Sequence, residues 1–285
     1  MFLVQAIAGG LLLGAVYALL SSGLTLIWGM MNFINFAHGE LVMLGMYVAL
    51  LAVLWLHAGP PAFSALAALA LFVLGVAIYF ALIKHVMRGP MLAQILSTFG
   101  LALVLRYAAF WIFSPNFVTL PATGLSGTIV VGGIYLPVPQ LVGGFVAAVL
   151  TVGLHVLLTR TTVGMQMLAV AEDRSAAMLM GIRPDRIQAF AWGLSAAAAG
   201  IAGALLALAF PFSPGVGGTF ALIAFVVVTL GGFGSVPGAM VAGLLVGVIE
   251  SLSAFYIGPA YKDVIVYALF VALLWLRPQG LLGGV

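Results

Sequence analysis

Residues 160–186 read RTTVGMQMLAVAEDRSAAMLMGIRPDR. Of the chain's nine basic and six acidic side chains, seven fall here: Arg160, Glu172, Asp173, Arg174, Arg183, Asp185 and Arg186. The sequence on either side is apolar. The 285-residue chain is 65% hydrophobic and 5% charged, with a mean hydropathy of +1.32, whereas a soluble domain is about 25% charged. So little polar surface cannot cover a soluble fold. The chain therefore belongs in a bilayer, and the charged island is where it meets water. A net charge of +3 is too small and scattered to suggest nucleic acid; its placement sets orientation instead. The absence of cysteine excludes disulfides and thiolate metal sites.

Outward from the island, stretches of about 20 apolar residues predict spans near 4–28, 40–56, 62–83, 92–113, 137–158, 187–209, 219–233, 238–257 and 263–276. Between them stand Gly59-Pro60-Pro61, Gly89-Pro90, Pro211 with Pro214, Pro237-Gly238, Gly258-Pro259 and Arg277-Pro278, which punctuate helices. The seventh stretch is short and is either a span or re-entrant. The expected fold is all-α: a polytopic membrane helical bundle of about eight to nine spans with broken or re-entrant helices, forming a single transmembrane domain over 1–285. Met1 runs almost directly into Phe2–Trp28 without a basic leader, so the first stretch is expected to remain a span. Lys84, Arg88, Arg160, Arg174, Arg183, Arg186 and Arg277 lie in or beside connections separated by even numbers of spans. They share one face, which the excess of basic loops makes cytoplasmic. The N-terminus is then outside and the C-terminus inside. The uncharged 114–136 connection faces out as an ordered hairpin or short helix. Small residues recur four apart at Gly10/Gly14, Gly193/Ala197, Ala199/Gly203, Gly200/Ala204 and Gly243/Gly247, a spacing that lets helix backbones touch in lipid.

Two regions read as broken helices. One is Gly29–Glu40, containing Asn35, His38, Gly39 and Glu40; the other is Pro211–Gly218, containing Pro214 and Gly217, followed by the turn Gly231–Gly238 with Gly232. Paired interruptions point to a transport pathway, because unpaired backbone at membrane depth is tolerated only inside protein or beside water. Ordinary interfacial loops are the alternative, above all for 231–238. His38 and Glu40 are read as caps for exposed backbone and as shapers of a path, ahead of direct ligand contact. Arg106 and Glu250 each lie about 18–21 Å from the cytoplasmic end of their spans at about 1.5 Å per residue, and equal depth predicts an intramembrane ion pair. The alternative is an Arg106 that snorkels outward. In the island, Glu172, Asp173 and Arg174 open a short helix ending at Gly181. Ala176, Ala177 and Met180 share one of its faces, suited to a partner's groove or, less well, to the membrane surface. His38, His57, His85 and His155 are dispersed and match no metal site, and no catalytic constellation is visible.

Several motifs occur in order: Asn35-Phe36-Ala37-His38-Gly39-Glu40, Ala171-Glu172-Asp173-Arg174 with Met180-Gly181-Ile182, Leu230 through Ala239, Tyr261-Lys262-Asp263-Val264, and Arg277-Pro278-Gln279-Gly280-Leu281. Jointly they resemble the LivH-type permease subunit of branched-chain amino acid ABC importers over essentially the whole chain. The resemblance implies a multi-pass protein of the bacterial inner membrane. It would pair with a LivM-like second permease, two ABC ATPase subunits and a periplasmic substrate-binding protein, and would pass a small amino acid by alternating access. It also implies that Glu172–Gly181 is a coupling helix docked in an ATPase. No Gly-x-x-x-x-Gly-Lys-[Ser/Thr] occurs, so ATP and its Mg²⁺ are expected on partners and no cofactor on this chain. A urea or short-amide permease of the same family is the alternative. An ATP-independent secondary transporter or channel would want more buried charge for ion coupling.

Overall fold

The computed structural model describes residues 2–121, 125, 127–276 and 280–282. In chain order these form α1 (Phe2–Met31), α2 (His38–Leu56), α3 (Pro60–Val86), α4 (Met91–Phe113), β1 (Thr128–Val131), β2 (Ile134–Pro137), α5 (Val138–Arg160), α6 (Thr162–Glu172), α7 (Arg174–Leu179), α8 (Pro184–Leu206), a 3₁₀ turn (Pro214–Val216) leading into α9 (Gly217–Gly231), α10 (Val236–Tyr256) and α11 (Lys262–Leu276). Proline at the first turns of α3, α5, α8 and α10 starts these helices where its missing N–H has no intrahelical role.

Among the described residues, eight helices are long and apolar enough to cross a membrane: α1 to α5, α8, α9 with its leading turn, and α10. The 15-residue α11 rises only about 22 Å against a hydrocarbon core of about 30 Å, which separates it from the others. α1, at 30 residues, runs about 45 Å and overshoots the core.

In lipid, helices gain little from apolar burial against one another, so close backbone contact decides packing. Gly10 and Gly14 of α1 lie against the backbone of α10, and Gly243 and Gly247 of α10 lie against α1; a Cβ at Gly10 or Gly14 would sit 2.7 Å from a backbone atom across the crossing. Gly10/Gly14 and Gly243/Gly247 are thus the two sides of one interface. α8, rich in Ala and Gly, is the most buried span and carries α2 and α3 on its surface, with Gly45 meeting Gly200 and Gly203 meeting the Val42 carbonyl. Trp192, Tyr47, Tyr79 and Phe33 fill the core.

The uncharged connection forms the hairpin β1–β2, antiparallel with Val131 opposite Ile134. Gly132 and Gly133 both have positive φ, the requirement of a two-residue primed turn. The Gln5 side chain takes the Tyr135 N–H at 2.7 Å and seats the hairpin beside the start of α1. This hairpin end and the island end, where Lys84 meets Asp185, are the two ends of the bundle. The motif residues Arg277, Pro278 and Gln279 lie outside the described residues.

Candidate functional site

The first interruption is a chain that doubles back inside the bundle. Asn32 turns through φ 49, a left-handed conformation that asparagine tolerates. Residues 32–35 are not helical, and α2 begins at His38. His38 Nε2 lies 2.8 Å from the Leu20 carbonyl, and Leu20 precedes the end of α1 by about 16 Å of helix. The α2 N-terminus is therefore deep in the bundle. Local side chains satisfy part of the unwound backbone: Asn35 Oδ1 accepts from Ala37 N at 3.0 Å, and Thr98 donates to the Ile34 carbonyl at 3.3 Å.

The second interruption meets the first. The Pro214–Val216 turn delivers the N-terminus of α9 to that of α2, and a Cβ on Gly39 would lie 2.0 Å from the Gly217 carbonyl oxygen. Only hydrogen fits there. Upstream, Phe212 and Val118 exchange backbone hydrogen bonds of 2.9 Å, so the connection after α4 braces the unwound 211–213. Asn35, His38, Gly39, Glu40, Pro214 and Gly217 are all buried at this junction. Gly232, also buried, stands apart at the island end, where its φ of 97 ends α9.

The expected Arg106–Glu250 pair is not formed. Arg106 reaches Glu40 instead, with Nε at 2.9 Å from Oε1, and Glu250 is paired with Lys262. The helix break explains the change. Read as an uninterrupted connection, Glu40 sits at the membrane edge; with residues 32–37 climbing back into the bundle, it reaches the depth of Arg106. Glu40 is 1% exposed. Its carboxylate also faces Gly217, so the first turns of α2 and α9 both favour its charge. Glu40 Oε2, Asn35 Nδ2 and His38 Nδ1 are buried without a partner among the described residues. The partner of Glu250 was legible as the lysine just across the Gly258-Pro259 turn.

The island contains two helices. Thr161 caps α6, accepting from Gly164 N at 3.2 Å, and Glu172 closes α6 instead of opening the next helix. Asp173 caps α7, its Oδ1 accepting from Ser175 N at 2.7 Å and Ala176 N at 3.0 Å. Gly181, φ 81, closes it: Ile182 N donates to the Ala177 carbonyl and Gly181 N to that of Met178, the paired bonds of a Schellman ending. The expected face is split. Ala177 is buried, whereas Ala176 and Met180 are exposed. The outward apolar side chains are Met178, Leu179 and Met180, with Leu179 89% and Met180 82% exposed.

Sequence reading missed what holds α7 in place. Asp185 binds Arg174 of α7 and Lys84 of α3, both at 2.7 Å, while Tyr79 donates to Gln188 Oε1 at 2.8 Å. Tyr79 opens a π-helical turn, Tyr79–Ile83, in α3. Such turns are rare and cluster at functional sites. One short helix is thus tied to two spans through a single carboxylate.

The family described as branched-chain amino acid transport system, permease component, matches residues 6–274. The BraD branched-chain amino acid permease protein of Pseudomonas aeruginosa is 33% identical over 98% of this chain and 95% of its own. LivH of Escherichia coli is 31% identical over 99% of this chain and 96% of its own. The LivM permease protein of the same bacterium is similar more narrowly, 34% identical over 52% of this chain and 36% of its own. No solved structure gives a significant match.

Proposed function

Since the chain belongs to the permease-component family of branched-chain amino acid transport systems, we propose that it is one of two permeases in an ATP-driven importer of branched-chain or related amino acids. It would sit in the bacterial inner membrane with the island inside. In this reading α7 docks in an ATPase, a LivM-like permease covers part of the lipid-facing surface, and a periplasmic protein delivers the ligand at the hairpin end.

One observation carries the reading. An exposed apolar tip, Met178-Leu179-Met180, stands on a six-residue helix tied by Asp185 to α3 and α8. Exposed side chains of this size at a water-facing tip have no use in an isolated chain, and a partner's groove accounts for them. The Asp185 joint would pass movement of α7 to α3 and to α8, the central span. The junction at Gly39 and Gly217 is where two half-helices could then shift against each other, because its unsatisfied polar atoms, at about 1–3 kcal/mol each, leave it weakly committed to one packing.

The test is co-purification with the ATPases expressed beside it. Leu179→Arg should leave the permease folded and abolish ATPase retention. Full retention would refute docking through α7. Asp185→Asn should retain the ATPases yet reduce ligand-stimulated hydrolysis and uptake together.

A further inference from the structure

A cavity of about 230 Å³ opens at the hairpin end between α1, α5, the end of α8, α10 and α11. Leu12, Val16, Leu205 and Phe210 form apolar walls, and the polar groups facing it are Gln140, Ser251, whose hydroxyl is spent on the Ala6 carbonyl, and the Glu250–Lys262 ion pair. Glu250 is 2% exposed. It lies in α10 and Lys262 begins α11, so each is held on a separate helix. The buried Tyr17 hydroxyl also meets the Glu250 carboxylate, yet a buried ion pair is costly to keep for stability alone; a well-packed apolar pair is often as good or better. In a membrane protein, ionisable residues that face a cavity mark a substrate route by default.

We propose that this cavity is the entry site for a zwitterionic amino acid with a small apolar side chain. The ligand ammonium would pair with Glu250, the ligand carboxylate with Lys262, and the side chain would lie against Leu12, Val16 and Phe210. Two opposite charges set side by side in an apolar bowl match the two charges on one α-carbon. A neutral amide such as urea offers no charge to either. The size agrees: one water needs only about 10–15 Å³ of such space, so the cavity admits a small-molecule ligand and not just a lone water. The site rests on the importer reading above, in which the hairpin end faces the delivering protein.

Gly9 lines the cavity, and a Cβ there would meet nothing within 4 Å. A Cβ at Gly9 therefore displaces no packed atom, and larger side chains there start from the cavity wall. The test is ATP-driven leucine uptake by the assembled complex in proteoliposomes, with subunit stoichiometry measured for each variant. Gly9→Ala, Gly9→Leu and Gly9→Trp should assemble and lose uptake stepwise, the last to below a tenth of wild type. Glu250→Gln should lower uptake at least tenfold at sub-saturating leucine. Assembled Gly9→Trp complex with wild-type uptake would overturn the site alone. Wild-type complex without ATP-driven uptake would overturn the importer reading and the site with it.

Discussion

Glu40 and Arg106 decide how the interior is read. A buried carboxylate is tolerable in a bilayer only with a partner, and here Arg106 and two helix N-termini supply it. Arg106→Ala leaves that charge alone, which should cost about 3–5 kcal/mol as a lowered melting temperature in detergent. A double-mutant cycle between Glu40→Gln and Arg106→Ala should give a coupling of about 0.5–3 kcal/mol. The same cycle between Arg106 and Glu250 should be additive. The pairing was half legible. The sequence reading singles out Glu40, Arg106 and Glu250 but not Lys262, and it pairs Arg106 with Glu250 by equal depth while placing Glu40 at the start of its span. The depth of Glu40 depends on the climb of residues 32–37, whose turn at Asn32 leaves no periodicity to count.

At the scale of elements, the contrast between glycines separates packing from chemistry. Gly243 packs against α1 with no room for a Cβ: the backbone nitrogen of Ala18 would be 2.6 Å away. Gly153 of α5 faces open space. Gly243→Leu should abolish accumulation of folded protein, whereas Gly153→Ala should be neutral or stabilising by about 0.5–1 kcal/mol, read by thermal unfolding. The four-residue glycine spacing revealed these interfaces in advance, because it reports a physical need for close approach; it could not say which helix answers which. α7 was legible at its C-terminal end; its start was not, since the sequence reading puts Glu172 in it, and neither was its face. Asp173 and Gly181 are local signals with fixed backbone roles, while the inward turn of Ala177 depends on how α7 lies against α8. Removing the cap with Asp173→Ala should cost about 1 kcal/mol, with α7 losing order before any span does, as hydrogen exchange would register.

The whole molecule is a multi-pass helical bundle whose two ends differ in charge, and that difference sets the proposed orientation. Because the chain has no cysteine, single cysteines report sidedness cleanly. Thr162→Cys, exposed in the island outside α7, should react with an impermeant maleimide only after the cells are opened, and Thr128→Cys should react in intact cells. Fold class was readable from composition, since an apolar run has few options in lipid; the count was readable to within one, because the ninth stretch read as a span, 263–276, forms the short α11 and is not among the eight described helices long and apolar enough to cross. The meeting of α2 and α9 was not, because it joins residues far apart in sequence through backbone contact at Gly39 and Gly217. The central claim is that this chain passes amino acids only when partner ATPases drive it. The direct measurement is leucine uptake into proteoliposomes holding the purified permease pair, the ATPases and the binding protein, with ATP or a non-hydrolysable analogue inside. The account predicts uptake with ATP, none with the analogue, and no competition by urea. Equal uptake with the analogue, or uptake by this chain alone down a gradient, would contradict it.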